Sequence, residues 1–281
     1  MAVRIVTDST ADIPQEQAQA LGITVVPLTV IFGEEAYLDG VELDNAGFYA
    51  KLQRSKDLPH TSQPPPASFQ EAYTRLINEG ADAILSVHLS SRLSGTYQSA
   101  CTGRDSLPDD VKKIPIEIVD SKSISIGMVL PIIRAVEEAK QGLSLAEIKT
   151  HMLDMLSRTR ILAVLDTLEY VKRGGRIGGA AAFLGTMLNF KPIISLKDGE
   201  VVPVERPRTR SKAYTRIAQL LSEMGELESV TIAESDEEVG QQLTEALKTA
   251  YQGDIPAYKL GAVLGTHTGP GTAAIAAISA R

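Results

Sequence analysis

Residues 83–100 read AILSVHLSSRLSGTYQSA, and the change of pattern inside that stretch decides how the rest of the chain is placed. Ile84, Leu85, Val87 and Leu89 make the apolar, partly β-branched run of an interior strand, and Ser90 to Gly95 supply the turn chemistry that ends one. A helix then opens at Gly95-Thr96-Tyr97, with Ser94 in position to cap it. The first turn of a helix leaves backbone N–H groups without intrahelical partners, so Ser94 and those donors together make a seat for an anionic oxygen such as a carboxylate. The plainer alternative is that Ser94 is a cap and nothing more.

Two further strands end in the same way. Residues 3–6 run into Thr7-Asp8-Ser9-Thr10, and residues 116–119 into Asp120-Ser121. An open parallel α/β sheet binds ligands beyond the carboxyl ends of its strands, so the hydroxyls of Ser9, Ser94 and Ser121 are expected to converge there. Asp8 and Asp120 either shape the turns by Asx capping or touch the ligand. Between these strands come a helix over 15–21 closed by Gly22, a strand over 23–32, a polar loop over 33–44 and a short helix over 45–53. Pro64, Pro65 and Pro66 then hold a loop extended, so Thr61 and Ser62 are presented from a stiff backbone. Helices over 69–78, 124–140 and 144–157 complete the first half.

The chain is expected to form two α/β domains, residues 1–160 with a mostly parallel sheet and residues 161–281 with a mixed or antiparallel one, the ligand lying between them. In the second half the glycines of Lys172-Arg173-Gly174-Gly175-Arg176 follow neither the phosphate-loop nor the dinucleotide-binding order, and a helix ended by Gly174-Gly175 is the simpler reading. Residues 180–189 read as a small-residue helix. Residues 191–196 and 201–204 flank Asp198-Gly199 as an antiparallel hairpin. A βαβ-like unit follows over 230–260. The last segment, Gly265-Thr266-His267-Thr268-Gly269-Pro270-Gly271, reads as a glycine-rich turn from strand to helix, with His267 at the helix start.

Composition sets the outer bounds. The chain has 281 residues, 43% hydrophobic and 22% charged, with a net charge of −7; that is a globular protein, and general nucleic-acid binding is not expected. Residues 170–212 nevertheless hold nine Lys and Arg against three acids, which makes that segment a candidate docking face; the plainer alternative is a solvated surface. The apolar runs are too short or too interrupted to span a bilayer, and the N-terminus has no signal-peptide pattern. The lone cysteine, Cys101, is read as a small core residue, consistent with a cytoplasmic location. The four histidines show no metal-ligand spacing.

Seven collinear stretches carry a resemblance that spans nearly the whole chain: residues 6–12 (VTDSTAD), 61–64 (TSQP), 93–100 (LSGTYQSA), 119–121 (VDS), 172–177 (KRGGRI), 188–192 (LNFKP) and 265–271 (GTHTGPG). The chain resembles the DegV family, whose better-studied members are the fatty-acid-binding subunits of bacterial fatty acid kinase. The resemblance implies two α/β domains enclosing a long-chain fatty acid such as palmitate, with its carboxylate held by Thr61, Ser94 and His267. Ser62 and Gly95 adjoin those positions, and the choice between Thr61 and Ser62 stays open. Asp8, Ser9, Asp120 and Ser121 are expected to support the site. Arg173, Arg176 and Arg208 match positions that face the partner, an ATP-dependent kinase that makes an acyl phosphate. No cofactor is implied, no catalysis by the chain alone, and membrane contact only of a transient kind. The helices over 124–133 and 180–188 are candidate walls for the tail. The competing reading is a serine hydrolase built from Ser94 and His267 with Asp8 or Asp120 as orienter. Against it, Ser94 lies outside a G-x-S-x-G elbow.

Overall fold

A nearly continuous apolar strand is stable only when both of its faces are covered, and the first half of the chain provides that cover. The computed structural model describes residues 2–109, 111–185 and 189–281. In chain order the first half forms β1 (Val3–Asp8), α1 (Gln15–Leu21), β2 (Thr24–Val26), β3 (Thr29–Phe32), β4 (Glu35–Leu38), α2 (Asn45–Arg54), β5 (His60–Ser62), α3 (Pro66–Asn78), β6 (Ala83–His88), α4 (Thr96–Asp105), β7 (Ile116–Asp120), α5 (Ile126–Lys140) and α6 (Leu145–Arg158). Strands β2, β1, β6 and β7 lie side by side in that order, all parallel. Every residue of β6 is buried. One face of this sheet packs on α5 and α6 through Leu85, Val87, Met128, Ile132 and Ile148. The other packs on α3 and α4 through Ile84, Phe69, Tyr73 and Ala100.

The second half forms β8 (Thr159–Val164), α7 (Glu169–Arg173), a 3-10 turn over Gly178–Phe183, β9 (Ile193–Lys197), β10 (Glu200–Glu205), α8 (Arg210–Ser222), β11 (Leu227–Glu234), α9 (Glu237–Leu247), β12 (Ala257–Lys259), α10 (Ala262–Thr268) and β13 (Ala273–Ser279). The sheet order is β10-β9-β8-β13-β11-β12, antiparallel throughout except for the parallel β11–β12 pair. The protein therefore has two α/β domains, one with a parallel and one with a mixed sheet. Period-two alternation sorts the residues of the second sheet. Leu162, Val164, Ala273 and Ile275 face α8 and α9, whereas Ile161, Ala274 and Ala276 face α5 and α10. Helix α5 is apolar on two sides, giving Met128 and Ile132 to the first sheet and Ile126 and Val129 to the second.

Four local expectations are corrected. The run over 23–32 is two strands, because Pro27-Leu28 separates β2 from β3, and β3 instead joins β4 and β5 in a small antiparallel sheet. That sheet contains Thr61, so the loop held by prolines is an edge strand. The small-residue stretch after Gly178 makes a 3-10 turn and not a longer helix; the rest of the expected helix falls partly on residues 186–188, outside the described residues. Cys101 is half-buried on α4 and not a core residue. Finally, His267 stands in the last turn of α10, and the glycine-rich segment runs from helix to strand. Gly265 lies inside that helix because Phe48 leaves no room for a side chain: a Cβ there would sit 2.4 Å from the Phe48 ring. Gly269, at φ +75°, ends the helix.

Candidate functional site

Between the two sheets lies a cavity of about 230 Å³. Its walls are mainly aliphatic: Ile124 and Ile126 at the start of α5, Ile161 and Ala163 on β8, Ile194 and Leu196 on β9, Leu264 on α10 and Ala274 on β13. The expected wall over 124–133 thus contributes at its start, whereas Ala180 packs instead among Leu165, Leu168 and Val171. Several polar groups that border the cavity are already satisfied by the protein. Ser195 donates to the Ile161 carbonyl at 2.6 Å, Thr268 to the Leu264 carbonyl at 3.0 Å, and Thr272 to the Gly269 carbonyl at 3.0 Å. An apolar chain can lie against such walls without stranding a hydrogen-bonding group.

Donors remain available at one end. Thr61 Oγ1 and His267 Nε2 are 2.8 Å apart, bringing together residues 206 positions distant in sequence. His267 Nδ1 is buried without a hydrogen-bond partner. A proton there would be a stranded donor, and an unpaired N–H is the more costly orphan, so the proton belongs on Nε2. His267 then donates to Thr61 Oγ1, and the Thr61 hydroxyl is free to donate onward to a ligand oxygen. Ser62 borders the same cavity, but its side chain is exposed and its hydroxyl donates to the Gln63 carbonyl at 3.3 Å. The geometry thus favours Thr61 of the two.

Ser94 also lines the cavity. Its Oγ accepts from the Thr96 backbone N–H at 3.3 Å and lies 2.9 Å from Thr96 Oγ1. Gly95 is the cap residue of α4, so Ser94 sits one position earlier than the capping expectation placed it. With Thr96 donating, the Ser94 hydroxyl is free to donate to a group in the cavity. Gly95 stands against the Gln63 side chain, where a Cβ would meet Gln63 Nε2 at 2.6 Å. Ser94 thus brings the chain just before α4 to this end of the cavity, whereas α10 presents its carboxyl end there.

Arg176 brings positive charge to the same place. It lines the cavity and donates to the Leu93 carbonyl at 3.1 Å and the Gly174 carbonyl at 2.6 Å. The sequence reading sets it on a docking face and misses its place at the cavity. Gly174 ends α7, as the sequence suggests, but its contact with His267 is not foreseen: a Cβ on it would lie 2.2 Å from His267 Nδ1. The only sequence signal for the place of Arg176 is its position directly after the two glycines. Arg173 is exposed and pairs with Glu169 at 2.5 Å, and Arg208 is exposed; neither reaches the cavity.

The four supporting residues are occupied elsewhere, so the expected convergence of Ser9 and Ser121 on Ser94 does not occur. Asp8 accepts from His88 Nδ1 at 3.0 Å and from the Leu89 and Thr10 backbone N–H groups at 3.1 Å. Ser9 accepts from the Leu28 N–H at 3.1 Å. Asp120 accepts from the Ser91 hydroxyl at 2.5 Å and its N–H at 3.2 Å. Ser121 donates to Met128 Sδ at 3.1 Å. None of these four borders the cavity. A Ser–His–Asp chain does exist, from Ser86 Oγ to His88 Nε2 at 2.7 Å and on to Asp8. All three side chains are fully buried and Tyr73 closes the serine end at 2.8 Å, so no substrate reaches it. His267, with a bare Nδ1, has no orienting carboxylate, and the hydrolase arrangement proposed for Ser94 is not assembled. Among the described residues no group of His, Cys, Asp or Glu is placed to hold a metal ion, and no helix is long and apolar enough to cross a membrane.

Burial, reinforced by the Arg176 charge, lowers the pKa of His267 to about 4. In the unfolded chain the imidazole titrates near its ordinary value of about 6.5. The folded protein therefore binds fewer protons over that interval; the stabilising effect of a neutral His267 is complete above it and is lost as pH falls through it. Replacing His267 with Gln is expected to remove about 2 kcal/mol of the stability difference between pH 7.5 and pH 5. Urea titrations at the two pH values test this: equal losses in parent and variant would contradict a neutral His267.

The chain is similar to known proteins over nearly its whole length. A family model described as "Uncharacterised protein, DegV family" matches residues 2–280. A DegV domain-containing protein of Halalkalibacterium halodurans is 36% identical over 96% of each chain. A solved structure described as fatty acid binding of a DegV family protein from Thermus thermophilus superposes with a TM-score of 0.90 at 35% identity, covering 100% of both chains. A stearic-acid-binding protein from Eubacterium ventriosum superposes with a TM-score of 0.91 at 26% identity, over 99% of this chain and 98% of that one.

Proposed function

Because the chain belongs to the DegV family, we propose that it binds a long-chain fatty acid, encloses the tail between its two domains and presents the carboxylate to a partner kinase. The observation that carries this is the cavity itself, aliphatic along its walls and ending at Thr61, Ser94 and His267. Burying about 14 methylenes of a palmitate-like tail at ~0.8 kcal/mol each gives a gross driving force near 11 kcal/mol before ordering costs. Two hydroxyls, the first turn of α4 and the nearby Arg176 then satisfy the carboxylate.

The chain is the carrier and not the catalyst. It has no phosphate loop, so an ATP-using partner must hold the phosphoryl donor and form the acyl phosphate, in a cytoplasmic route of fatty acid uptake or phospholipid synthesis. The exposed side chains of Arg173 and Arg208, with Arg176 at the cavity, form the docking face for that partner. The test of the ligand is mass spectrometry of an organic extract of the purified protein. Fatty acid near one equivalent is the expected result. A lipid-free protein that also fails to bind added palmitate would falsify the reading.

A further inference from the structure

We propose that Asp12 and Asp39 are positioning residues for the head-group site, holding the first turn of α10 so that His267, on its last turn, meets Thr61. Helix α10 belongs to the second half of the chain, yet its amino end is held by carboxylates of the first. The Gly261 N–H donates to Asp12 Oδ1 at 2.9 Å and the Ala262 N–H to Asp39 Oδ1 at 3.1 Å, with the Val263 N–H also directed at Asp39. Both carboxylates are buried, with exposures of 8% and 4%. From residue 262 to residue 267 the helix rises only ~8 Å, so a shift of its first turn is transmitted to His267 with little loss.

Asp12 does more than cap. Its other oxygen accepts the hydroxyl of Ser125, the residue that precedes α5 and borders the cavity. Asp39 accepts the hydroxyl of Ser9. One pair of side chains therefore ties together the end of β1, the start of α5 and the start of α10, and both of those helices line the cavity. The backbone is shaped to allow it. Asp12 at φ +56° closes a 3-10 turn in the left-handed conformation that Asp tolerates, and Ser125 at φ +53° and ψ −135° holds a rarer one, kept where the surroundings enforce it. Gly261 admits no Cβ, which would lie 2.7 Å from Asp12 Oδ1. Burial raises the pKa of Asp12 well above its ordinary value and that of Asp39 to about 6. Gathering these carboxylates is electrostatically unfavourable, and the helix start they hold is what the arrangement gains.

The inference rests on the fatty-acid reading for its ligand, and the experiment keeps the two separate. Asp12→Ala with Asp39→Ala removes both caps, whereas Asp12→Asn with Asp39→Asn retains an acceptor oxygen at each position. Three measurements are made on each protein: palmitate affinity by titration calorimetry, the 15N signals of the His267 ring, and the thermal midpoint. Loss of two caps is expected to weaken palmitate binding by about tenfold or more, with the Asn pair recovering most of it. The His267 signals are expected to leave the Nε2–H pattern in the Ala pair and keep it in the Asn pair. A lowered midpoint with unchanged His267 signals and unchanged affinity would make the two aspartates merely structural and overturn the proposal. Should the Ala pair fail to fold, Asp39→Ala alone is judged by the same criteria. If the parent itself binds no palmitate, the fatty-acid reading falls, and the His267 signals alone decide the positioning.

Discussion

Ala163→Phe is expected to abolish retention of a sixteen-carbon fatty acid while raising the melting temperature of the lipid-free protein. Ala163 on β8 and Ala274 on β13 are directly paired across the sheet, and both face the cavity. Two small side chains at paired positions leave a hollow where larger residues would interdigitate. A phenyl ring there occupies space that the tail needs. Displacing roughly six methylenes at ~0.8 kcal/mol each removes about 5 kcal/mol, which is three to four orders of magnitude in affinity. Filling an apolar void acts in the opposite direction on the empty protein, by about 1 kcal/mol. Binding and stability thus move apart, which a misfolded variant cannot imitate. Unchanged palmitate retention in a folded Ala163→Phe protein would show that the tail lies elsewhere.

Gly174→Ala should weaken binding of the same ligand by about 10- to 100-fold, the equivalent of one strong head-group contact. Gly174 has a helical φ of −68°, so alanine suits the backbone and no conformational penalty arises. Space is the obstacle. The added Cβ would lie 2.2 Å from His267 Nδ1, 2.9 Å from Cε1 and 3.2 Å from the Tyr170 carbonyl. The ring is the part able to yield, and turning it breaks the contact with Thr61. No ligand-touching side chain is altered, so lost affinity in a folded Gly174→Ala protein reports directly on the placement of His267. Titration calorimetry with palmitate checks it, and parental affinity would mean that the imidazole plays no part in holding the carboxylate.

How far the sequence discloses this molecule depends on the range of the interaction that decides each feature. The run at 84–89 is legible because burial on both faces leaves a local, continuous mark. The hairpin at Asp198-Gly199 is legible because its turn residues adopt positive φ, at +52° and +84°. Pro27 is visible too, but the apolar pattern on either side of it reads as one strand over 23–32 and conceals the small sheet carrying Thr61. Gly265 misled for a different reason: a glycine kept for the approach of a distant Phe48 looks in sequence like one kept for a turn. The same holds at the site. Ser94 and Thr61 announce themselves as hydroxyls in stiff turns, whereas Asp8 and Asp120 look identical whether they face a ligand or a backbone. What separates them is His88, eighty positions from Asp8, and the Ser91 turn beside Asp120. Gly174 carries no local mark of its contact with His267.

Helix α5 also bears on how a ligand gets in. With Met128 and Ile132 packed on one sheet and Ile126 and Val129 on the other, all at 1% exposure or less, the two domains share a wall. Swinging the sheets apart would strip one side of that wall. Exposing Ile126 and Val129 alone would cost about 3–6 kcal/mol, a hundredfold or more in the population of any such open form. On the fatty-acid reading, entry and exit with α5 left in place are favoured over parting of the domains by that same factor.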